Sequence, residues 1–304
     1  MKKLLLGSVV LGAFAAGVPA FAADLPATVP YKAPPPVLAP AYNWTGCYIG
    51  GHIGGGFGRK DWSVDSSDPP PGDSGSIFRN AVNNGGPVDL GSQIVTGFLG
   101  GIQGGCDYQF GSHLVLGAQA DFSWANLQST FTNSVSFVAS NGNTFGESFT
   151  AHTRVEGWGT ITGRIGYSSD RALFYLKGGA AGVRDKYSIA DVFFGGQFTE
   201  GALAGSASSN RWGWTVGAGF EYALLPNLSA FVEYDFLDFG THRTLFNCRS
   251  TSSANLFSCG EFDSIGPPKS TVPLDISQQV HEIKLGLNYR FNWGKAATPV
   301  VARY

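Results

Sequence analysis

A two-residue alternation that recurs eight times, with charge confined to one of its two faces, limits the fold more than any other feature of this chain. It runs through residues 47–57, 94–108, 114–124, 155–167, 172–182, 212–222, 228–236 and 281–293. In 212–222 one face reads Trp212, Trp214, Val216, Ala218, Phe220 and Tyr222, and the other Gly213, Thr215, Gly217, Gly219 and Glu221. Successive side chains of a strand point to opposite faces, so the pattern predicts strands with one apolar and one polar side. Segment 172–182 is the least regular, because Leu173 and Tyr175 interrupt its polar face.

The polar faces carry Asp107, Asp121, Arg154, Glu156, Arg164, Lys177, Glu221, Glu233, Asp235, Glu282, Lys284 and Arg290, and the apolar faces carry no charge. A Lys or Arg on the lipid face of a membrane barrel costs about 2–4 kcal/mol at the midplane. Lipid would therefore enforce this partition.

A soluble barrel with an apolar lumen would show the same parity, and three further features decide against it. Eight strands enclose an interior just wide enough for side chains to fill. Trp124, Trp212, Trp214 and many of the 23 Phe and 11 Tyr do not fit there, whereas Gly, Ser, Thr and mixed charges do. The segments also exceed the roughly 5–6 residues usual in soluble sheets and reach the roughly 9–11 needed to cross a bilayer. Finally, the connections alternate. Gly111-Ser112, Ser169-Asp170-Arg171 and Pro226-Asn227 read as tight turns, while the links near 59–92, 127–152, 184–210 and 238–279 read as long polar loops. Short turns at one end and long loops at the other mark a bacterial outer-membrane barrel. The expected fold is all-β, an antiparallel up-and-down transmembrane β-barrel of eight strands.

The amino-terminal region predicts export. Lys2 and Lys3 precede an apolar run at 4–18, and Ala20-Phe21-Ala22 is a small-x-small cleavage site. That run is shorter than the roughly 20 residues of a spanning helix. The expected organisation is a signal peptide at 1–22, a Pro-rich periplasmic tether at 23–43, and a barrel domain at 44–304. Prolines 26, 30, 34, 35, 36 and 40 make the tether extended.

Four cysteines in an exported chain are an even number in an oxidising space. Cys47 begins the first strand and Cys106 ends the second, both at the periplasmic end and on the lipid-facing parity, so a cross-strand disulfide is expected there. A second, Cys248–Cys259, would clip the last long loop. The alternative for Cys47 and Cys106 is two buried free thiols. Neither pair has metal-site spacing, and His52, His113, His152, His242 and His281 are scattered, so no metal is expected.

Several motifs resemble the alphaproteobacterial outer-membrane immunogenic protein family, which are small porin-like barrels of the opacity type. They are Ala23-Asp24-Leu25-Pro26, Tyr31-Lys32-Ala33-Pro34-Pro35-Pro36, and Tyr42-Asn43-Trp44-Thr45-Gly46-Cys47-Tyr48-Ile49-Gly50-Gly51. Gly163-Arg164-Ile165-Gly166-Tyr167, Glu233-Tyr234, Leu287-Asn288-Tyr289-Arg290-Phe291 and the ending Pro299-Val300-Val301-Ala302-Arg303-Tyr304 are similar as well. Cys47 departs from the family, where an aromatic residue is usual. The resemblance implies location in the bacterial outer membrane, surface exposure and antigenic loops. The partners it implies are outer-membrane lipids and lipopolysaccharide, the barrel-assembly machinery, and peptidoglycan or host surface molecules.

For function, the residues favour a structural, surface-exposed anchor whose narrow lumen is closed by ion pairs among Glu156, Arg164, Glu221, Glu233, Lys284 and Arg290. The alternative is a small-solute porin with weak cation preference, in which inward glycines (Gly50, Gly54, Gly97, Gly101, Gly213, Gly217) leave space. Wide channels, however, belong to barrels of about 16–18 strands. Catalysis is not expected, because neither His281, on the lipid face, nor His152, at the mouth of its strand, comes with a recognisable Ser or Asp partner. His52 reads as an ordinary lumen residue. A minor alternative, suggested by the family, is haem or ligand binding by loop residues such as His242, His152 and Tyr187, and no resident cofactor is expected. Gly54-Gly55-Gly56-Phe57-Gly58 is not a phosphate loop, since it lacks the Lys-Ser/Thr and opens no helix. A net charge of −2 gives no footprint for nucleic acid.

Overall fold

The computed structural model describes residues 42–64, 88–111, 113–138, 144–193, 202–250 and 271–291. The signal-peptide and tether expectations fall outside these residues apart from Tyr42 and Asn43. The described chain forms eight antiparallel strands: β1 Gly46–Val64, β2 Val88–Phe110, β3 Leu114–Val138, β4 Thr144–Ser169, β5 Ala172–Phe193, β6 Ala202–Leu225, β7 Leu228–Ser250 and β8 Thr271–Phe291. Each pairs with its neighbour in sequence, and β8 returns to β1 to close the ring.

Three tight reversals join strands at one end, the turn end. Gly111 (φ 58°) and Asp170 (φ 54°) take left-handed backbone there, which glycine and short polar residues tolerate. Pro226 and Asn227 make the third turn. Cys47 and Cys106 face each other across β1 and β2 close to this end and are disulfide bonded. Cys248 lies on β7, but its side chain and Cys259 are outside the described residues.

The outer surface carries an apolar belt. Aliphatic side chains such as Ile49, Ile53, Ile102, Leu116, Ile161, Ile165, Leu176, Leu285 and Leu287 are exposed at its centre. Tyr108, Tyr167, Tyr222 and Tyr289 border it towards the turns, and Phe57, Phe98, Trp124, Trp212 and Trp214 border it on the far side. Two aromatic girdles around an apolar band are what a bilayer selects in a barrel.

The strands are much longer than the alternation suggested, from 19 residues in β1 to 26 in β4. Much of 59–92, 127–152, 184–210 and 238–279, expected as loops, continues the strands beyond the belt. Outside the belt the outward positions are polar, as with Gln128, Thr130 and Thr132 on β3. The apolar–polar contrast that reveals a strand in lipid disappears there, although the pairing goes on.

Candidate functional site: a filled lumen

The interior gathers the largest group of buried charged side chains among the described residues, and it is built in layers. At the turn end the chain ahead of β1 folds into the mouth, where Trp44 is fully buried against Val115, Leu173, Tyr175 and Ala223, with Tyr42 beside it. Leu173 and Tyr175, the two residues that interrupted the polar face of their segment, are thus inner packing. Gln109 accepts a hydrogen bond from the Trp44 backbone at 2.8 Å, and the Arg290 guanidinium lies over the Trp44 ring.

Next comes a ring of two arginines and two carboxylates. Arg164 pairs with Asp107 and with Glu221 at 3.4 Å, and Arg290 pairs with Asp107 at 2.9 Å and Glu221 at 3.6 Å. All four are buried. Each guanidinium touches both acids, so the ring is neutral and closed. Asn288 also donates to Glu221 at 3.0 Å, and Gln103 to Asn288 at 2.8 Å, which ties the ring to β2 and β8.

The middle layer holds Lys177 and Lys284 among four carboxylates. Lys177 lies 2.8 Å from Glu233, 3.1 Å from Asp235 and 3.4 Å from Asp121. Lys284 lies 2.8 Å from Glu233, 2.7 Å from Asp235 and 3.2 Å from Glu282. Thr160, Tyr175 and the Trp158 indole donate to Asp121, Glu233 and Glu282 respectively. Bringing such charges out of water is tolerable only when pairing and hydrogen bonding are this dense.

Above this layer lies a dry one: Val95, Leu99, Leu127, Val155, Trp158, Ala181, Val183, Leu237, Phe239 and Val280 pack together. It is followed by a second polar cluster. Lys60 donates to Asp185 at 2.9 Å and Tyr187 at 3.2 Å, and Arg211 donates to Asp185 at 2.7 Å and to Tyr187 and Gln278. The outward neighbours at this height are charged, with Arg59 and Asp61 exposed either side of Lys60, so the cluster stands beyond the belt. Burial pushes the Lys60 ammonium down to about 8, against the opposing pull of Asp185. Burial works against the Asp185 carboxylate, but Lys60 and Arg211 outweigh it and hold its pKa below the usual range. Trp62 closes the stack, fully buried, with Tyr187, Phe149 and Phe246 around it at ring separations of 5.5, 5.8 and 6.1 Å.

Of the six residues expected to line the lumen, the structure brings Arg164, Glu221, Glu233, Lys284 and Arg290 inside. Glu156 does not join them. The pairing of β4 shifts between Val155 and Gly157, opposite a shift between Trp124 and Leu127 on β3. This bulge reverses the facing of β4, so that Arg164 and Thr160 point in below it and Thr153 and Val155 point in above. Glu156 and Arg154 are therefore outside, and Glu156 pairs with Lys186 at 2.6 Å and Arg184 at 3.4 Å. The hydrogen bond from Lys186 holds its carboxyl below the usual range.

Tyr187 is also not a loop residue. It lies on β5, buried in the upper cluster, and is not available to an outside ligand. His152 and His242 are exposed on β4 and β7, two strands that are not neighbours, and His152 contacts Thr130 at 2.8 Å. His281 is on the outer surface, stacked on Phe57 and 2.7 Å from the Tyr234 hydroxyl.

The inward glycines leave no open space. A Cβ at Gly217 would stand 1.9 Å from Asp235 Oδ1, one at Gly50 2.1 Å from Asn288 Oδ1, and one at Gly101 2.5 Å from His52 Nε2. Each is a hollow that a large polar neighbour already fills. Lys60 and Asp185 escaped the sequence reading because they fell in presumed loops, and Arg211 because it stood between the loop near 184–210 and segment 212–222. The signal was present as inward alternation: Gly58, Lys60, Trp62 on β1 and Val183, Asp185, Tyr187, Ile189 on β5.

A closed barrel with an apolar belt, two aromatic girdles and a polar interior is an integral outer-membrane protein. The chain belongs to the outer membrane protein beta-barrel domain family, which it matches over residues 8–291. It is 30% identical over 96% of its length to the 31 kDa outer-membrane immunogenic protein of Brucella melitensis, all of which it covers. It is 27% identical over 79% of its length to the 25 kDa outer-membrane immunogenic protein of Brucella ovis, covering 90% of that protein. Among solved structures it is similar to Ail, the attachment invasion locus protein of Yersinia pestis. That match has a TM-score of 0.32 and 13% identity, and covers 81% of this chain and 99% of Ail. The protein thus resides in the bacterial outer membrane; in such barrels the turn end is periplasmic and the far end extracellular.

Proposed function

We infer that this protein is an occluded scaffold of the outer membrane, which anchors in the bilayer and carries its extracellular end away from it without conducting solutes. The observation that supports this reading is the unbroken filling of the lumen. Trp44 at the periplasmic mouth, two polar layers, the dry layer around Leu99 and Leu127, the Lys60 cluster and the Trp62 cap follow one another with their side chains buried. Eight strands leave no width for a channel beside such side chains.

The strand lengths support the presentation role. β3 runs from Trp124 at the outer girdle to Val138. At about 2.5 Å of height per residue for a tilted strand, this carries the rim roughly 35 Å beyond the girdle. On this reading the partners are outer-leaflet lipid around the belt, the barrel-assembly machinery during insertion, and surface molecules met by the extracellular end.

The reading includes no catalysis. His52 touches Ser123 at 2.9 Å within the lumen, but both are buried, and among the described residues no carboxylate hydrogen-bonds the other ring nitrogen of His52 to complete a nucleophilic relay. The test is uptake of small sugars by proteoliposomes. The expected swelling rate equals that of protein-free vesicles, and a rate rising with protein content and falling with sugar size would overturn the reading.

A further inference from the structure

The bulge that turns Arg154 and Glu156 outward places them beside Arg184 and Lys186 on the neighbouring strand. Arg184 is 66% and Lys186 55% exposed, Arg154 is exposed as well, and Glu156 is the one acid among them. Among the described residues, the outer face of β4 and β5 just beyond the girdle therefore carries two positive charges in excess.

Its height is fixed by the register. Gly157 lies opposite Trp124 on one side and Arg184 on the other, and Gly182, two residues before Arg184, lies opposite Trp212. The basic group thus begins one or two residues beyond two indoles of the outer girdle, between β3 and β6. Headgroups of the outer leaflet lie at that level.

The opposite side of the barrel differs. Among the described residues, β1 and β2 present Arg59 paired with Asp61, and Asp89. β7 and β8 present Arg243 paired with Asp275, and Asp238. Four acids and two bases stand there, so the excess of positive charge is local to β4 and β5.

We propose that the β4–β5 face binds the phosphate groups of lipid A in the outer leaflet. Arginine forks and a lysine suit phosphate oxygens, since the guanidinium presents paired donors and the ammonium a compact charge. Glu156 holds Arg184 and Lys186 side by side through its two oxygens, which spaces the cations without cancelling them. The membrane lipid is held laterally by the belt while its phosphates meet this cluster. The inference does not depend on whether the lumen is sealed, and its test leaves that question untouched.

The test uses the mature chain refolded in neutral detergent, with folding checked by heat-modifiable gel migration. Native mass spectrometry titrates bisphosphorylated lipid A, the same lipid A with both phosphates removed, and inorganic phosphate. The expected result is roughly tenfold or greater preference for the bisphosphorylated form, weakening with salt. Inorganic phosphate neither binds nor displaces it. The variant R154Q/R184Q/K186Q loses the preference, R184Q/K186Q loses part of it, and R59Q/R243Q on the opposite side retains it. Equal binding of the two lipids by the unaltered protein, a preference unchanged in the triple variant, or displacement by inorganic phosphate would overturn the proposal.

Discussion

Lys177 Nζ and Lys284 Nζ each lie 2.8 Å from the same oxygen, Oε1 of Glu233. Two like charges on β5 and β8 thus converge on one acceptor contributed by β7. The pair is held together by Glu233, Asp235 and Asp121, which both lysines touch, while Lys284 alone reaches Glu282. β7 and β8 are paired neighbours, but the layer also ties them to β3 through Asp121 and to β5 through Lys177, strands with which they share no ladder, and so acts as a crossbar within the bilayer.

Removing one lysine leaves four carboxylates facing a single cation. Lys284→Met is expected to cost about 3–5 kcal/mol, the usual penalty for stranding buried charge. Urea unfolding from lipid vesicles measures it. A loss below about 1 kcal/mol would show that the layer is not held by these pairs.

Glu221 and Glu156 test the bulge. Glu221→Gln removes a charge from the closed ring with Arg164 and Arg290, and the unfolding midpoint is expected to fall. Glu156→Gln acts on the outer surface, and the midpoint is expected to stay where it is. The same vesicle titration reports both, and equal effects would place Glu156 back inside the barrel.

The Cys47–Cys106 bond closes a segment of 59 residues between two paired strands. A loop of that size gives roughly 4 kcal/mol in the chain-entropy picture. Because these strands are also paired by backbone hydrogen bonds, Cys47→Ser/Cys106→Ser is expected to fold with unchanged gel migration and to lose about 2–4 kcal/mol. A variant that fails to insert would assign the bond to assembly instead.

The upper cluster gives a pH dependence. Lys60 loses its proton near 8 in the folded protein and near its ordinary value, 10.5, when unfolded. Between these values the unfolded chain binds the extra proton, so stability rises as pH increases through this window and gains nothing from it below 8. Compared with Lys60→Met, the unaltered protein is expected to gain stability between pH 7 and 10. A difference that stays constant or shrinks would contradict the buried position of this ammonium.

The belt was legible because lipid imposes the sharpest contrast on a strand. Trp212, Trp214 and Val216 against Gly213, Thr215 and Gly217 needed only the two-residue period, and the same period identified Arg164, Glu221 and Lys284 as inward. Parity fails where the backbone inserts a residue. Nothing local marks Gly157 as the point where β4 changes face, because the bulge depends on pairing with β3 and β5. Beyond the girdle the outer face meets water, so Lys60, Asp185 and Arg211 stood among polar residues of both faces. Their role emerges only when β1, β5 and β6 are brought round a common axis. The glycines misled for a related reason: a missing side chain reads as space, whereas at Gly101 and Gly217 it is the footprint of His52 and Asp235.

Planar-bilayer recording of the refolded protein, with insertion verified in parallel, shows whether the lumen is filled from Trp44 to Trp62. No unitary conductance above the bare membrane is expected, with or without reductant, across the voltages the bilayer tolerates. Steady, reproducible openings from the inserted barrel would contradict that filling.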